Sequence, residues 1–146
     1  MPEKRQDKHK ETEEIVVDAE DAVLGRLASF VAKQARSGKK IVVVNSEKAK
    51  IIGDPKIIVQ DYLARLRLGH GTQKGPIISR KPAALLRRAI RGMIGRKKTR
   101  GSEAFKNIKC YEGIPKEFEK KEKIKLERKE AIKFITLEKL SKQIGS

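Results

Sequence analysis

The chain has 146 residues, enough for one domain with a real core, but its hydrophobic share is only 38% against 38% charged residues. Its formal net charge is +17, and no aliphatic run exceeds the four residues Ile41–Val44, far short of the roughly 20 needed to span a bilayer. One cysteine, Cys110, excludes an internal disulfide and points to a reducing compartment, and no CxxC pair or His/Cys cluster offers a zinc module.

The opening MPEKRQDKHKETEE lacks the apolar stretch of a signal peptide, so residues 1–14 read as a solvated tail. Structure is expected to begin at IVVDA (15–19), a β-branched strand. Leu24, Leu27, Ala28, Val31, Ala32 and Ala35 then recur at helical spacing, with Gly38 placed to stop the helix. IVVVN (41–45) is apolar enough to be a strand covered on both faces. Strand, helix and strand with such short links predict a βαβ unit with parallel strands. AKIIG (49–53) is a shorter extended piece, and Asp54-Pro55 opens a second helix that reads as amphipathic from Ile57, Ile58, Asp61, Tyr62, Arg65 and Leu66. It fades into the glycine-rich GHGTQKGP (69–76).

Pro82 opens a third helix. At 100° per residue, Leu85, Leu86, Ala89, Ile90, Met93 and Ile94 fill one half of the wheel, and Arg87, Arg88 and Arg91 the other. RKKTRG (96–101) reads as an extended basic loop between Gly95 and Gly101. AFKNIKCYEG (104–113) resumes helix-then-strand character, and Gly113-Ile114-Pro115 closes the predicted core of 15–115. Residues 116–146 read as a charged C-terminal extension in which Thr136 caps a short last helix through Leu137, Leu140 and Ile144.

The charge is unevenly placed. Residues 62–102 carry +12 of the total, and no carboxylate stands between Asp61 and Glu103. The cations are Arg65, Arg67, Lys74, Arg80, Lys81, Arg87, Arg88, Arg91, Arg96, Lys97, Lys98 and Arg100. Alternating charge would pass as a solvated face, but a window of one sign repels itself unless a polyanion neutralises it. A membrane surface would need bulky apolar anchors, and Tyr62 is the only aromatic in the window. Nucleic acid is therefore the expected partner. The preference for Arg in the helix suits bidentate phosphate contacts. RNA is favoured over DNA because no recognition-helix, zinc-finger or basic-zipper pattern is present, and a glycine-laced basic loop beside an arginine-faced helix fits the shape of a folded RNA. With no Trp, two Tyr and four Phe, a base-stacking platform is not expected either.

An enzyme is the competing class. Asp18, Glu20 and Asp21 sit where a first strand gives way to a helix, a place where α/β enzymes keep their chemistry, although carboxylates there also cap helices. No phosphate-binding loop or dinucleotide fingerprint accompanies them. His9 and His70 have no evident nucleophile beside them, and Cys110 reads as a small packed residue. No catalytic site, metal, cofactor or small-molecule substrate is expected.

Several separated stretches in order carry a family resemblance: IVVDAEDAVLGRLASFVAKQARSGKKIVVVNSEKAKIIGD, then GPIISRKPAALLRRAIRGMIGRKKTRG, then YEGIP, together covering about residues 15–115. They resemble the thirteenth large-subunit ribosomal protein family, and the ending FITLEKLSKQIG looks closer to its archaeal and eukaryotic branch. The chain departs from the family's usual pattern at Gly95, where proline is common, and at Lys116-Glu117-Phe118, where prolines or histidines are usual. The resemblance implies a three-layer α/β/α core around a small parallel sheet. It also implies a non-catalytic role in the cytoplasmic ribosome, binding large-subunit rRNA beside neighbouring ribosomal proteins and supporting subunit assembly. Within the matching motifs, Gly75, Pro76, Pro82, Gly92, Met93 and Gly101 are expected to shape the backbone, as is the departing Gly95, and the twelve cations of the window to meet phosphates. An RNA-binding protein acting outside the ribosome, for example on messenger RNA, is the alternative.

Overall fold

A computed structural model describes residues 13–68, 78–127 and 130–145. Strand β1 (Glu14–Asp18) leads through helix α1 (Leu24–Arg36) to strand β2 (Lys40–Val44), and the two strands pair in parallel from Glu14 opposite Lys40 to Asp18 opposite Val44. The predicted βαβ unit is present. Its helix turns Leu27, Ala28, Val31, Ala32 and Ala35 inward, and Gly38 ends it at φ +91°, a backbone region that favours glycine.

The acidic residues before α1 do not cap it. The N-cap is Val23, without a side-chain cap, and the first turn holds no acid. Asp18 instead accepts hydrogen bonds from the Glu20 N–H and the Asn45 side-chain amide, each at 3.0 Å. The positive φ of Asp21 (58°) turns the chain before the helix starts, and its carboxylate pairs with Lys50 at 2.8 Å.

Ile41, Val42, Val43 and Val44 are all buried, as a strand apolar on both faces requires. On one face Val17, Ile41 and Val43 join the main core, and on the other Val16, Val42 and Val44 pack with Phe118. Tyr111 closes over Phe118 with ring centroids 6.0 Å apart. After β3 (Lys50–Ile52) comes α2 (Pro55–Arg67), where the Asp54 carboxylate caps the Lys56 N–H at 3.0 Å and Pro55 takes the first turn. No residue of α2 is buried. Ile57 is 59% exposed, while Ile58, Val59, Tyr62, Leu63 and Leu66 rest half-buried on the core.

Helix α3 (Pro82–Ile94) is followed by α4 (Thr99–Lys106) and β4 (Ile108–Cys110), which pairs in parallel with β2. The highly charged run after Pro115 supplies β5 (Lys123–Lys125), parallel to β1, so the four-stranded sheet runs β4-β2-β1-β5. Strand β6 (Phe134–Thr136) pairs antiparallel with β3 as a second small sheet. The closing helix α5 (Leu137–Gln143) is capped by Thr136 as predicted, and Leu137, Leu140 and Ile144 enter the main core. The architecture is α/β around a parallel sheet.

Candidate nucleic-acid interface

Helix α3 is a platform because its two halves differ. Leu85, Leu86, Ile90 and Ile94 are buried, while Arg87, Arg88 and Arg91 are exposed. Pro82 is buried at the first turn, where a missing N–H costs nothing. Met93 departs from the helical-wheel expectation and is 47% exposed. The wheel gives an angle and not what stands opposite. Met93 lines an open cleft with Ser29, Ala32, Lys33, Arg36 and Ser37 of the α1 end.

The expected extended loop 96–101 is a turn and then a helix. Gly95 takes the left-handed conformation (φ +71°, ψ +50°) that ends α3, the Lys98 N–H bonds back to the Gly95 carbonyl at 3.1 Å, and α4 begins at Thr99. The reason lies in Gly101. A Cβ there would lie 2.2 Å from the Gly95 oxygen, so only glycine lets α4 press against the end of α3. Ala104 is buried and Phe105 packs on the core, supplying the apolar anchor that makes the segment helical.

Between α3 and α4 lies an open groove of about 790 Å³ lined by Arg88, Arg91, Gly92, Gly95, Arg96, Lys97, Lys98 and Ser102. The lining positions 88, 91, 92 and 95 form one stripe of α3 at helical spacing. Arg87 and Arg96 converge on the Phe105 ring, with guanidinium carbons 4.5 and 5.8 Å from its centroid. Stacking on a face leaves the N–H edges of both groups free for oxygen acceptors. Among the described residues no carboxylate pairs with any cation of the basic window, whereas the lysines elsewhere hold Glu13, Glu14, Asp18, Glu20, Asp21, Asp54 and Glu138. The groove therefore concentrates uncompensated positive charge, and the uncapped first turn of α4 adds free amides at its edge.

The predicted cations do not form a single patch. Arg88, Arg91, Arg96, Lys97 and Lys98 line the groove, Arg87 stands beside it on Phe105, and Arg100 faces a different cleft. Arg80 and Lys81 lie at the opposite end of α3, where Arg80 donates to the Gly145 carbonyl at 3.4 Å and its own carbonyl accepts from Ser141 at 2.6 Å. Arg65 stacks on Tyr62 at 5.5 Å, and with Arg67 it stays exposed on α2. Lys74, Gly75 and Pro76 lie outside the described residues. Of the glycines, Gly95 and Gly101 shape the backbone, while a Cβ at Gly92 would meet open space within the chain. Sequence reasoning missed Phe105 as an organiser of arginines. Its signal was an aromatic set a short turn after a basic run.

Elsewhere the chemistry is occupied or quenched. The Asp18, Glu20 and Asp21 carboxylates are engaged by Asn45, Lys48, Lys50 and Lys125. Burial pushes the Cys110 thiol up to about 12, which keeps it protonated and poorly nucleophilic at neutral pH. Among the described residues no group of three or more His, Cys, Asp or Glu could hold a metal, and no helix is long and apolar enough to cross a membrane.

The family profile described as ribosomal protein L13 matches residues 12–117, which takes in all of α3 and α4. The chain belongs to the ribosomal protein L13 family. Its curated relatives include large ribosomal subunit protein uL13 of Natronomonas pharaonis, 40% identical over 91% of this chain and 92% of the relative. The uL13 of Thermoplasma volcanium is 41% identical over 89% and 97%, and that of Methanocaldococcus jannaschii is 42% identical over 90% and 97%. The L13 match covers the whole groove and stops before β5, so the sheet's β5 edge lies beyond the family profile.

Proposed function

We propose that this L13-family chain is a structural constituent of the large ribosomal subunit. It binds large-subunit rRNA through α3 and the turn into α4, supports subunit assembly and works in the cytoplasmic ribosome beside neighbouring ribosomal proteins. The observation that carries the reading is the groove in which Arg88, Arg91, Arg96, Lys97 and Lys98 face one space with, among the described residues, no carboxylate to pair them. Phosphodiester oxygens supply the missing counter-charge, and the planar guanidinium forks match them. Arg87 and Arg100 contribute from the flanks, Arg65, Arg67, Arg80 and Lys81 meet phosphates further out, and Lys74 is also assigned to phosphate binding. The RNA-binding surface lies within residues 15–115, and 116–146 completes the body behind it. No catalysis is part of the role.

The reading is tested by binding the purified chain to protein-free large-subunit rRNA and to a generic RNA duplex at the same salt concentration. Binding to the rRNA at least about a thousandfold tighter is expected, as for specific over nonspecific nucleic-acid complexes. Equal affinities would replace the ribosomal reading with that of a nonspecific RNA binder.

A further inference from the structure

A second cleft, of about 410 Å³, lies between the end of α1 and the α3–α4 corner, lined by Ser29, Ala32, Lys33, Arg36, Ser37, Met93 and Arg100. We propose that this cleft is a second phosphate-binding site, so that the RNA embraces the end of α3 from both sides. The inference rests on the rRNA-binding reading and adds Lys33 and Arg36, which lie outside the basic window.

Three observations carry it. Lys33, Arg36 and Arg100 are exposed and, among the described residues, have no carboxylate partner. Lys33 and Arg36 in the last turn of α1 complement that helix's dipole, which is a sufficient structural reason for them alone. Arg100 comes from another helix and has no such reason, yet it faces the same space. The two clefts also flank the first turn of α4, with Arg100 lining one and Ser102 the other. That turn has no side-chain cap and no acidic residue, so its amides add anion-binding capacity between the two rows of cations. Finally, Met93 lines the second cleft and is 47% exposed. A flexible thioether offers an adaptable apolar contact to a ribose or base beside the phosphates.

An acidic segment of a neighbouring protein is the other polyanion that could sit here. That the cleft and the groove lie on either side of the same helix end favours RNA.

The test titrates the full chain, Lys33→Gln/Arg36→Gln and Arg100→Gln against protein-free large-subunit rRNA over a range of salt. Lys109→Gln/Lys116→Gln serves as a charge-matched control, since Lys109 flanks the opposite face of the sheet beside Val42 and Lys116 precedes Phe118 on that face. The double variant should flatten the slope of log K against log salt by about 1.4–1.8, and Arg100→Gln by about half that. The melting temperature of Arg100→Gln should stay at the wild-type value, that of the double variant should fall only slightly with the lost dipole complement, and the control should leave the slope unchanged. A double variant with the wild-type slope overturns the second site while leaving the groove reading intact, and points to an acidic protein neighbour if the variant also fails to enter subunits. Equal flattening by the control reduces the effect to diffuse charge and overturns it too. A flat wild-type slope would remove the groove reading and this inference together.

Discussion

Helices α2 and α3 look alike on paper. Each runs 13 residues, each takes a proline at its start and each ends in arginine-bearing turns. Yet α3 buries Leu85, Leu86, Ile90 and Ile94, and α2 buries nothing. The difference is one of pattern. In α3 the apolar residues form one continuous arc that packs on α1 and the sheet, whereas α2 spends Ile57 on solvent and rests on half-buried contacts. A cation on α3 is therefore held by a rigid support, while Arg65 and Arg67 ride on a helix with little to fix it. Preorganisation, more than charge count, separates the two.

The largest way to break this comparison is Leu86→Ala. It should cost about 2–5 kcal/mol of stability, because a fully buried side chain leaves a cavity between α3 and its neighbours. Ile57→Ala on α2 should stay within about 0.5 kcal/mol. Chemical denaturation of both variants checks the pair, and comparable losses would mean that α2 is as firmly docked as α3.

Gly101→Ala comes next. Its Cβ meets the Gly95 carbonyl, so α4 must move, at a cost of about 1–3 kcal/mol typical of overpacking. RNA affinity should fall as well, because the groove loses its far wall. Gly92→Ala, a helical position with open space around it, should instead gain up to about 1 kcal/mol of stability from helix propensity. A tolerated Gly101→Ala in the same thermal melts would show that α4 is not wedged against α3.

Arg88→Ala sharpens the comparison at smaller cost. Stability should not change, since the side chain is exposed and pairs with no carboxylate among the described residues, while the salt slope of RNA binding should flatten by about 0.7–0.9. Arg65→Ala on α2 should flatten it less. Amide exchange gives a gentler readout of the same contrast: α3 amides should exchange far more slowly than those of α2.

The βαβ unit, the caps at Asp54 and Thr136 and the inner face of α3 were legible because each is local: a period, a capping residue, a proline. What was not legible depends on pairs of distant residues. RKKTRG reads as a loop because its charges and glycines mark one, and only the meeting of Gly101 with the Gly95 carbonyl reveals that the second glycine serves packing. The Glu/Lys-rich run after Pro115 has no apolar period, yet backbone pairing with β1 makes Lys123–Lys125 a strand. The candidate site was legible as a list of cations. That the list divides between a groove, a helix start and α2 could not be read from one dimension, nor could the gathering of Arg87 and Arg96 on Phe105.

The central claim is that the unpaired cations of α3 and its turn are answered by RNA phosphates, and a salt titration of the wild-type chain on protein-free large-subunit rRNA tests it most directly. With roughly eight phosphate contacts, log K should fall against log salt with a slope of about −6 to −7. A slope flatter than about −2 would contradict the account, because the groove's charge would then have some other purpose.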